Sequence, residues 1–243
     1  MNKKNRKELV ALYENNSIKV DDMVRVWKIL PDLCLFLILI TYIAMTLLFV
    51  ANYSYYKVKQ TSMKPLLNNY EDPSISDGVY VNIHSDPEVG DVVIVSYYLD
   101  ENTTLIKRLI AEGGDKIAIT RTLVEGTEKF EVLRIPKGNS VPYVLVEDYV
   151  APENRVIGMH KVYDNFVDLL NASNTETING IDFLVLADDE IFYMGDNRGS
   201  SDDCSKYGPV NQSYLIGRVD IIVAKEQNTV FHIFEYLLGF KSV

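Results

Sequence analysis

The sequence predicts a mainly β protein, an antiparallel β-sheet domain that follows a single N-terminal transmembrane helix. Three observations lead to this prediction. Residues 33–51 form an apolar run of 19 residues without a charge. Beyond this run, short β-branched and aromatic segments alternate with Gly, Pro, Asn and Asp, as in an antiparallel sandwich or barrel. After the apolar run, only residues 155–170 have the pattern of a long amphipathic helix.

The apolar run from Leu33 to Ala51 has the length of a membrane-spanning helix. As an α-helix it would extend about 28 Å, close to the thickness of the hydrocarbon core of a bilayer. A cleavable signal peptide has an apolar core of only about 7–15 residues and small residues at its cleavage site, and a convincing pair of small residues is absent here. A buried core helix rarely has so many consecutive uncharged residues. We therefore predict an uncleaved anchor.

The charges on either side of the anchor predict its orientation. Residues 1–32 hold seven Lys/Arg and five Asp/Glu, a net charge of +2, whereas the remainder carries −12. Because basic flanks stay in the cytoplasm, the protein is predicted to cross the cell membrane once, with residues 1–32 as a cytoplasmic segment and residues 52–243 as an extracytoplasmic domain. Lys57, Lys59 and Lys64 reduce the asymmetry of charge.

The domain after the anchor is predicted to hold nine strands. They are Val79–Ile83, Val92–Tyr98, Leu105–Ile110, Ile117–Thr120, Phe130–Ile135, Tyr143–Val146, Phe183–Leu186, Ile191–Met194 and Val219–Val223. Residues 136–180 are the least regular part and are expected to form an inserted subdomain or loops. The apolar segment Val230–Phe240 is too short to span a membrane as a helix. It is either an interfacial helix or a segment that covers the core.

Composition argues against several classes of function. The net charge of −10 is unsuited to nucleic acid. Cys34 lies inside the apolar run, so a disulfide with Cys204 is implausible, and the sequence has no CxxC pair. The three histidines, His84, His160 and His232, are scattered and form no HExxH motif. We expect no metal site, no cofactor and no nucleic-acid partner.

Two side chains are candidates for nucleophilic catalysis. Ser62 lies before Pro65 and either begins a turn or acts as a nucleophile near the membrane. Lys107 shares one face of its predicted strand with Leu105 and Leu109. If that face is buried, the pKa of the lysine falls and the amine becomes a general base for Ser62, as in Ser-Lys variants of the catalytic triad. If the strand lies at a sheet edge, Lys107 instead reaches water.

A dense polar loop from Tyr193 to Gly208 is the third candidate feature. It contains Asp196, Asn197, Asp202 and Asp203, which are calcium-ligand types. Their spacing does not fit an EF-hand loop, which needs acceptors at alternate positions and a glutamate at the twelfth. A solvated linker is the other ordinary interpretation, although linkers seldom combine these residue types with flanking aromatic residues.

The three features together resemble bacterial type I signal peptidases, membrane-anchored Ser/Lys proteases that cut signal peptides from exported preproteins. The similar motifs are Ser62-Met63-x-Pro65, Gly90-Asp91-Val92-Val93, Lys107-Arg108 with Gly113-Gly114-Asp115, and Gly195-Asp196-Asn197-Arg198 with Ser201 and Asp203. Each motif alone is weak. Their order after an anchor makes the similarity specific, and it covers the anchor and nearly all of the following domain.

The resemblance implies a role for each matched residue. Ser62 would attack the scissile carbonyl, Lys107 would act as base and then as acid, and Ser201 would hold the lysine amine. Asp203 would support the loop. Further supporting residues would be Gln60, Arg108, Gly195, Asp196, Asn197 and Arg198. The substrates would be preproteins with small residues at the first and third positions before the cut, bound beside membrane lipid, in pockets near Met63, Ile83 and Val93–Val95.

The sequence departs from the family pattern at several positions. Leu66 follows the motif proline where threonine is common. Gln60 occupies a position where some members have a serine that donates to the oxyanion, so its amide or the Ser62 N–H would serve. Cys204-Ser205 replaces a common Ser-Arg pair. The arginine that would pair with Asp203 is therefore absent, and Arg198 and Lys206 are the candidates to replace it.

Two alternatives to a protease follow from the same residues. One is a catalytically inactive relative that acts as a scaffold for surface protein assembly. Ser62 and Lys107 argue against it, and the altered loop at Cys204-Ser205 slightly favours it. The other is an autoproteolytic repressor with a Ser/Lys β-domain. That class needs a DNA-binding helical module and has no membrane span, the reverse of what this sequence shows.

Overall fold

The computed structural model describes residues 3–98 and 100–224, so the apolar segment Val230–Phe240 lies outside the described residues. The chain divides into two compact units, with the boundary after Asn52. The first unit is a single helix, α1 (Lys3–Asn52), which includes Pro31. Its part Ile29–Asn52 has a mean hydropathy of 2.8, and none of this part is buried within the protein. By length and composition this part is able to cross a membrane, and it includes the predicted span.

The described part of the second unit, up to residue 224, is built from strands of 2–12 residues with two further α-helices. The strands are β1 (Tyr53–Lys57), β2 (Gly78–Asn82), β3 (Val92–Tyr97), β4 (Asp100–Ala111), β5 (Lys116–Val124), β6 (Thr127–Ile135), β7 (Tyr143–Val144), β8 (Thr175–Ile178), β9 (Ile181–Val185), β10 (Glu190–Met194), β11 (Val210–Asn211) and β12 (Leu215–Val223). The helices are α2 (Ile157–Ala172) and α3 (Cys204–Tyr207). Every predicted strand has a counterpart in the structure, and α2 matches the predicted amphipathic helix.

Within the described residues the strands form two antiparallel sheets. A seven-stranded sheet has the order β1-β2-β12-β3-β4-β10-β11, and a five-stranded sheet has the order β7-β6-β5-β9-β8. β4 pairs with β3 on one side and with β10 on the other. The predicted antiparallel, mainly β fold is therefore confirmed.

Three strands were missed in the sequence because their residues have no clear apolar alternation. The tyrosines of β1 suit a membrane interface equally well, but they pair with β2. β8 is exposed over most of its length and is joined to β9 by Asn179-Gly180, both with positive φ. Asn-Gly is the strongest short-range signal for a hairpin turn, because both central residues of that turn need positive φ. This signal was present in the sequence and identifies β8.

Alternate residues of β3 belong to different hydrophobic clusters, so both faces of the seven-stranded sheet are buried there. Val93 and Val95 join the larger cluster, which also holds residues of the five-stranded sheet and of α2. Val92 and Ile94 join a second cluster, which includes Met63. Of the residues predicted to lie near a pocket, Met63, Val93 and Val95 are buried in the core, whereas Ile94 lines a groove and Ile83 is exposed.

Candidate active site

The loop between β1 and β2 holds Ser62, and buried polar contacts fix the shape of that loop. Asn68, which has a φ of 53°, donates from Nδ2 to the carbonyl oxygens of Val58 and Gln60, both at 3.0 Å. Asn68 and Asp77 also exchange backbone-to-side-chain hydrogen bonds of 2.7 and 2.8 Å. Ser62 itself is only 5% exposed. The candidate nucleophile is thus held on a defined backbone and not on a loose turn.

Lys107 is buried in the middle of β4, with an exposure of 1%. It lies on the face of the strand that also carries Leu105 and Leu109, as predicted, and the alternative of an edge strand is wrong because β4 is paired on both sides. Burial lowers the pKa of the amine, while the carboxylates of Asp203 and Asp202 partly oppose the shift. Lys107 is therefore a lysine with an increased neutral fraction.

The only hydrogen bond of the Lys107 amine to a side chain, within the described residues, goes to Ser201. Lys107 Nζ donates to Ser201 Oγ at 3.1 Å in a buried position. No direct hydrogen bond joins Lys107 Nζ to Ser62 Oγ among these residues. Catalytic hydrogen bonds are often long before substrate binds and shorten only in the complex. The arrangement therefore orients the amine but leaves the contact with Ser62 to be completed.

Gly195 brings the Ser62 loop and Ser201 together. A Cβ atom at Gly195 would lie 2.3 Å from Ser201 Oγ and 2.5 Å from the carbonyl oxygen of Ser62. Both oxygens therefore pack directly against the glycine, and a side chain here would displace one of them. The N–H of Asn197 donates to the same Ser62 carbonyl at 2.9 Å. The polar loop after β10 and the loop that holds Ser62 thus form one joined structure.

Asp203 supports this loop without an arginine partner. Its carboxylate accepts from the N–H of Gly195 at 2.9 Å and from the N–H and Oγ of Ser205 at 3.1 and 2.7 Å. Among the described residues, neither Arg198 nor Lys206 forms an ion pair with Asp203. Arg198 instead binds Glu147, and Lys206 binds Asp202. The hydroxyl of Ser205, at the position where the family pattern commonly has arginine, supplies the missing contact.

Arg108, which follows Lys107 in β4, forms a partly buried ion pair with the buried Asp196. Arg108 donates from Nε and Nη2 to the two oxygens of Asp196 at 2.9 and 2.6 Å, and from Nη1 to the carbonyl oxygen of Gly90 at 2.7 Å. Burial raises the pKa of Asp196, and Arg108 opposes that rise. Paired hydrogen bonds of this kind fix direction as well as distance. They hold the start of the polar loop against β4.

Two residues in this network were not predicted from the sequence, Glu147 and Tyr149. Glu147 binds the guanidinium of Arg198, and the Tyr149 ring lies 3.9 Å from the guanidinium carbon of Arg108. Both lie in the segment between β7 and α2, inside the region expected to be an insertion or loops. No local motif marks them, because their contacts depend on how this segment folds onto the polar loop.

A groove of about 250 Å³ lies next to the Ser62 loop. Residues 56–60 form one wall and residues 103–106 the other, with Val79 and Ile94 also lining it. Gln60 is exposed at this groove, and its backbone carbonyl is already bound to Asn68. Along the chain, one wall ends two residues before Ser62 and the other ends one residue before Lys107.

The described residues contain no cluster of three or more His, Cys, Asp and Glu side chains placed to hold a metal ion. In the same part of the chain both cysteines are free, Cys34 exposed and Cys204 buried. Burial raises the pKa of the Cys204 thiol, and Tyr193 contacts it. A thiol of this kind packs as a small apolar group.

The comparison with known protein families assigns the chain to a class of hydrolases. A family model described as signal peptidase, peptidase S26, matches residues 32–224. The chain therefore belongs to the signal peptidase family, and the resemblance drawn from the sequence motifs is confirmed at this level.

Comparison with solved structures gives a related example. The chain is similar to the crystal structure of a signal peptidase I from Enterococcus faecalis V583, with 22% identity and a TM-score of 0.34. The match covers 56% of this chain and 97% of the other. No curated protein matches the chain.

Proposed function

We propose that this protein is a signal peptidase I, a serine endopeptidase that cleaves N-terminal signal peptides from exported preproteins after small residues. Ser62 is the nucleophile and Lys107 the general base. The observation that carries the proposal is the position of the Lys107 amine. It is buried in β4, its pKa is lowered, and it binds Ser201 on the loop that packs against Ser62.

The proposed reaction has two steps with the same proton carrier. Neutral Lys107 takes the hydroxyl proton as Ser62 Oγ attacks the scissile carbonyl, and it returns that proton to the departing amine. The product is a Ser62 ester of the signal peptide. A water molecule then attacks the ester while Lys107 accepts its proton, and the proton passes to Ser62 Oγ as the peptide acid leaves. Ser201 keeps the amine oriented in both steps.

The backbone at Ser62 supplies a candidate donor for the oxyanion. Within residues 3–98 and 100–224, the N–H of Ser62 donates to no protein acceptor. A donor aimed at the position where negative charge develops stabilises the transition state more than the ground state. The exposed amide of Gln60 is the second candidate. The groove walls would hold the substrate as an extended strand, and the preference for small side chains before the cut follows from the family resemblance.

The membrane anchor places the reaction where signal peptides leave the bilayer. We propose the arrangement expected from the sequence, with a cytoplasmic segment at 1–32, a transmembrane helix at 33–51 and an extracytoplasmic peptidase domain at 52–243. Within the last, residues 136–180 would be an insertion. Ser62 follows Ala51 by 11 residues, which reach at most about 40 Å when extended.

Cleavage of a preprotein by the detergent-solubilised full chain tests the proposal. With alanine at the first and third positions before the cut, we expect one new N-terminus at that site, identified by mass spectrometry. A matched preprotein with phenylalanine at the first position serves as the control and should stay intact. If a folded preparation leaves the alanine substrate uncut while binding it, the inactive scaffold becomes the better description.

The pH dependence of cleavage should respond to Asp202. Activity is expected to rise with pH as Lys107 loses its proton, and the carboxylate of Asp202 raises the pKa of Lys107. Asp202→Asn removes that charge and leaves its partners Lys161 and Lys206 positive, which acts in the same direction. The acid limb of kcat/KM should therefore move to lower pH. Asp188→Asn, which only frees Lys137, should leave the limb in place.

A further inference from the structure

We infer that Glu147 and Tyr149 are positioning residues, which hold the loop carrying Ser201 and Asn197 through the buried Arg198 and the partly buried Arg108. This inference rests on the proposed Ser62–Lys107 mechanism and adds two residues that no motif identifies. Neither residue lines the groove beside Ser62. They would therefore act on the reaction only through the position of the polar loop.

The Glu147 carboxylate neutralises the charge of the buried Arg198 guanidinium. Arg198 is 1% exposed, and both of its terminal nitrogens donate to the Glu147 carboxylate, one of them at 3.0 Å. Its Nε donates to the carbonyl oxygen of Gly195 at 3.1 Å. Burial is the largest single influence and opposes the charged guanidinium, but Glu147, with smaller contributions from Tyr149 and Asp203, leaves the pKa of Arg198 raised. Without this carboxylate, Arg198 would be drawn towards water and would release Gly195.

Tyr149 connects this ion pair to the one beside Lys107. Its hydroxyl donates to Glu147 Oε1 at 3.0 Å, and its ring lies 3.9 Å from the guanidinium carbon of Arg108. Burial raises the pKa of the Tyr149 phenol, so the hydroxyl stays a neutral donor. Arg108 in turn holds both oxygens of Asp196. The two ion pairs are thus fixed relative to each other by one aromatic side chain.

Movement of Gly195 would disturb the proposed chemistry at two atoms. Gly195 packs against Ser201 Oγ, which binds the Lys107 amine, and against the carbonyl oxygen of Ser62. A misplacement of about 1 Å in a catalytic group costs on the order of a hundredfold in rate. Because the groove walls are other segments, substrate binding should change little. The expected signature is a fall in kcat with a nearly constant KM.

A cavity beside the ion pair makes a rescue experiment possible. About 350 Å³ of space is bordered by both Glu147 and Arg198, together with apolar residues such as Val132 and Met159. Glu147→Ala would enlarge this space and leave the Arg198 guanidinium facing it. Formate is a small carboxylate that is able to replace the missing group. Glu131 borders the same cavity but pairs with the exposed Lys129, so Glu131→Ala is the matched control.

The experiment measures cleavage and thermal unfolding of the full-length variants with formate or chloride at equal ionic strength. For Glu147→Ala we expect kcat to fall on the order of tenfold to a hundredfold, and formate but not chloride to restore part of it. Formate should also raise the melting temperature of Glu147→Ala, since a ligand that binds only the folded state stabilises it. The control variant should respond to neither salt.

Two further variants keep the inference open to rejection. Glu147→Gln retains the shape without the charge and serves if Glu147→Ala does not fold; it should show the same loss of kcat. Tyr149→Phe keeps the ring over Arg108 and should lose less activity than Tyr149→Leu. Wild-type kcat in folded Glu147→Gln, or a formate-insensitive Glu147→Ala, would overturn the inference. Failure of the proposed function would look different, because the wild type itself would not cut, and the melting-temperature response would still be measurable.

Discussion

Ser62→Ala is expected to abolish preprotein cleavage, with a loss of at least about 10³-fold in kcat. The alanine variant retains the groove and the buried lysine but has no oxygen to form the acyl ester. Stability should change little, because the Ser62 hydroxyl donates to no protein acceptor within the described ranges, so no protein partner is left unsatisfied there. The measurement is a time course of product formation by detergent-solubilised protein at matched concentrations.

Ser74→Ala is the matched control for this result. Ser74 lies in the same loop between β1 and β2, is exposed, and uses only its backbone N–H to bind Asp72. It should cut at the wild-type rate. Wild-type activity in Ser62→Ala would remove Ser62 as nucleophile. Preserved binding of preprotein by an uncut Ser62→Ala complex would show that the groove and the chemistry are separate properties.

Strand periodicity alone predicted which face Lys107 occupies, but not that this face is buried. Leu105 and Leu109 lie two positions before and after it, so a period of two places all three on one face, whereas burial depends on the strands that pair with β4. The nine strands were also predicted from sequence alone, because short runs of β-branched and aromatic residues mark a strand without reference to the rest of the fold. β1 was not predicted, because its tyrosines suit a membrane interface as well as a strand. Only its pairing with β2 distinguishes the two.

The supporting contacts of the site were harder to predict because they depend on tertiary packing. Asp203 was expected to need an arginine, yet Ser205 two residues further supplies both an N–H and a hydroxyl. The contact between Asp203 and Ser205 is local and could have been predicted, because Asp203 is the N-cap of the short helix that begins at Cys204. Glu147 and Tyr149 give no such signal. Each contacts an arginine that lies more than 40 positions away in the chain. Glu147 and Arg198, for example, are 51 positions apart.

Lys107→Met should separate activity from stability more clearly than any other substitution. Methionine matches the length of the lysine and removes the base, so kcat should fall by about 10²- to 10⁴-fold. The folded protein, however, no longer has to bury an ionisable amine. We expect the free energy of unfolding at neutral pH to rise by on the order of 1–4 kcal/mol, by analogy with the replacement of buried ion pairs by well-packed apolar groups. Calorimetry of the solubilised variants measures this change.

The pH dependence of the stability difference between wild type and Lys107→Met tests whether burial of the amine causes it. Burial lowers the pKa of Lys107 below its ordinary value of 10.5, so the unfolded chain binds a proton more readily than the folded protein. As the pH falls from about 10.5 towards the lowered pKa, the wild type loses stability that the methionine variant keeps. The advantage of Lys107→Met should therefore be largest at neutral pH and shrink as the pH rises towards 10.5.

Lys129→Met provides the comparison, because Lys129 is exposed on β6 and pairs with Glu131. Its substitution should leave both kcat and the pH dependence of unfolding close to those of the wild type. A contrary result would be that Lys107→Met lowers the melting temperature equally at neutral and high pH. The pKa of Lys107 would then be the same in the folded and unfolded protein, and the amine would stay charged in the fold. A lysine that keeps its proton at neutral pH is unable to accept one from Ser62, and the proposed mechanism would then lose its base.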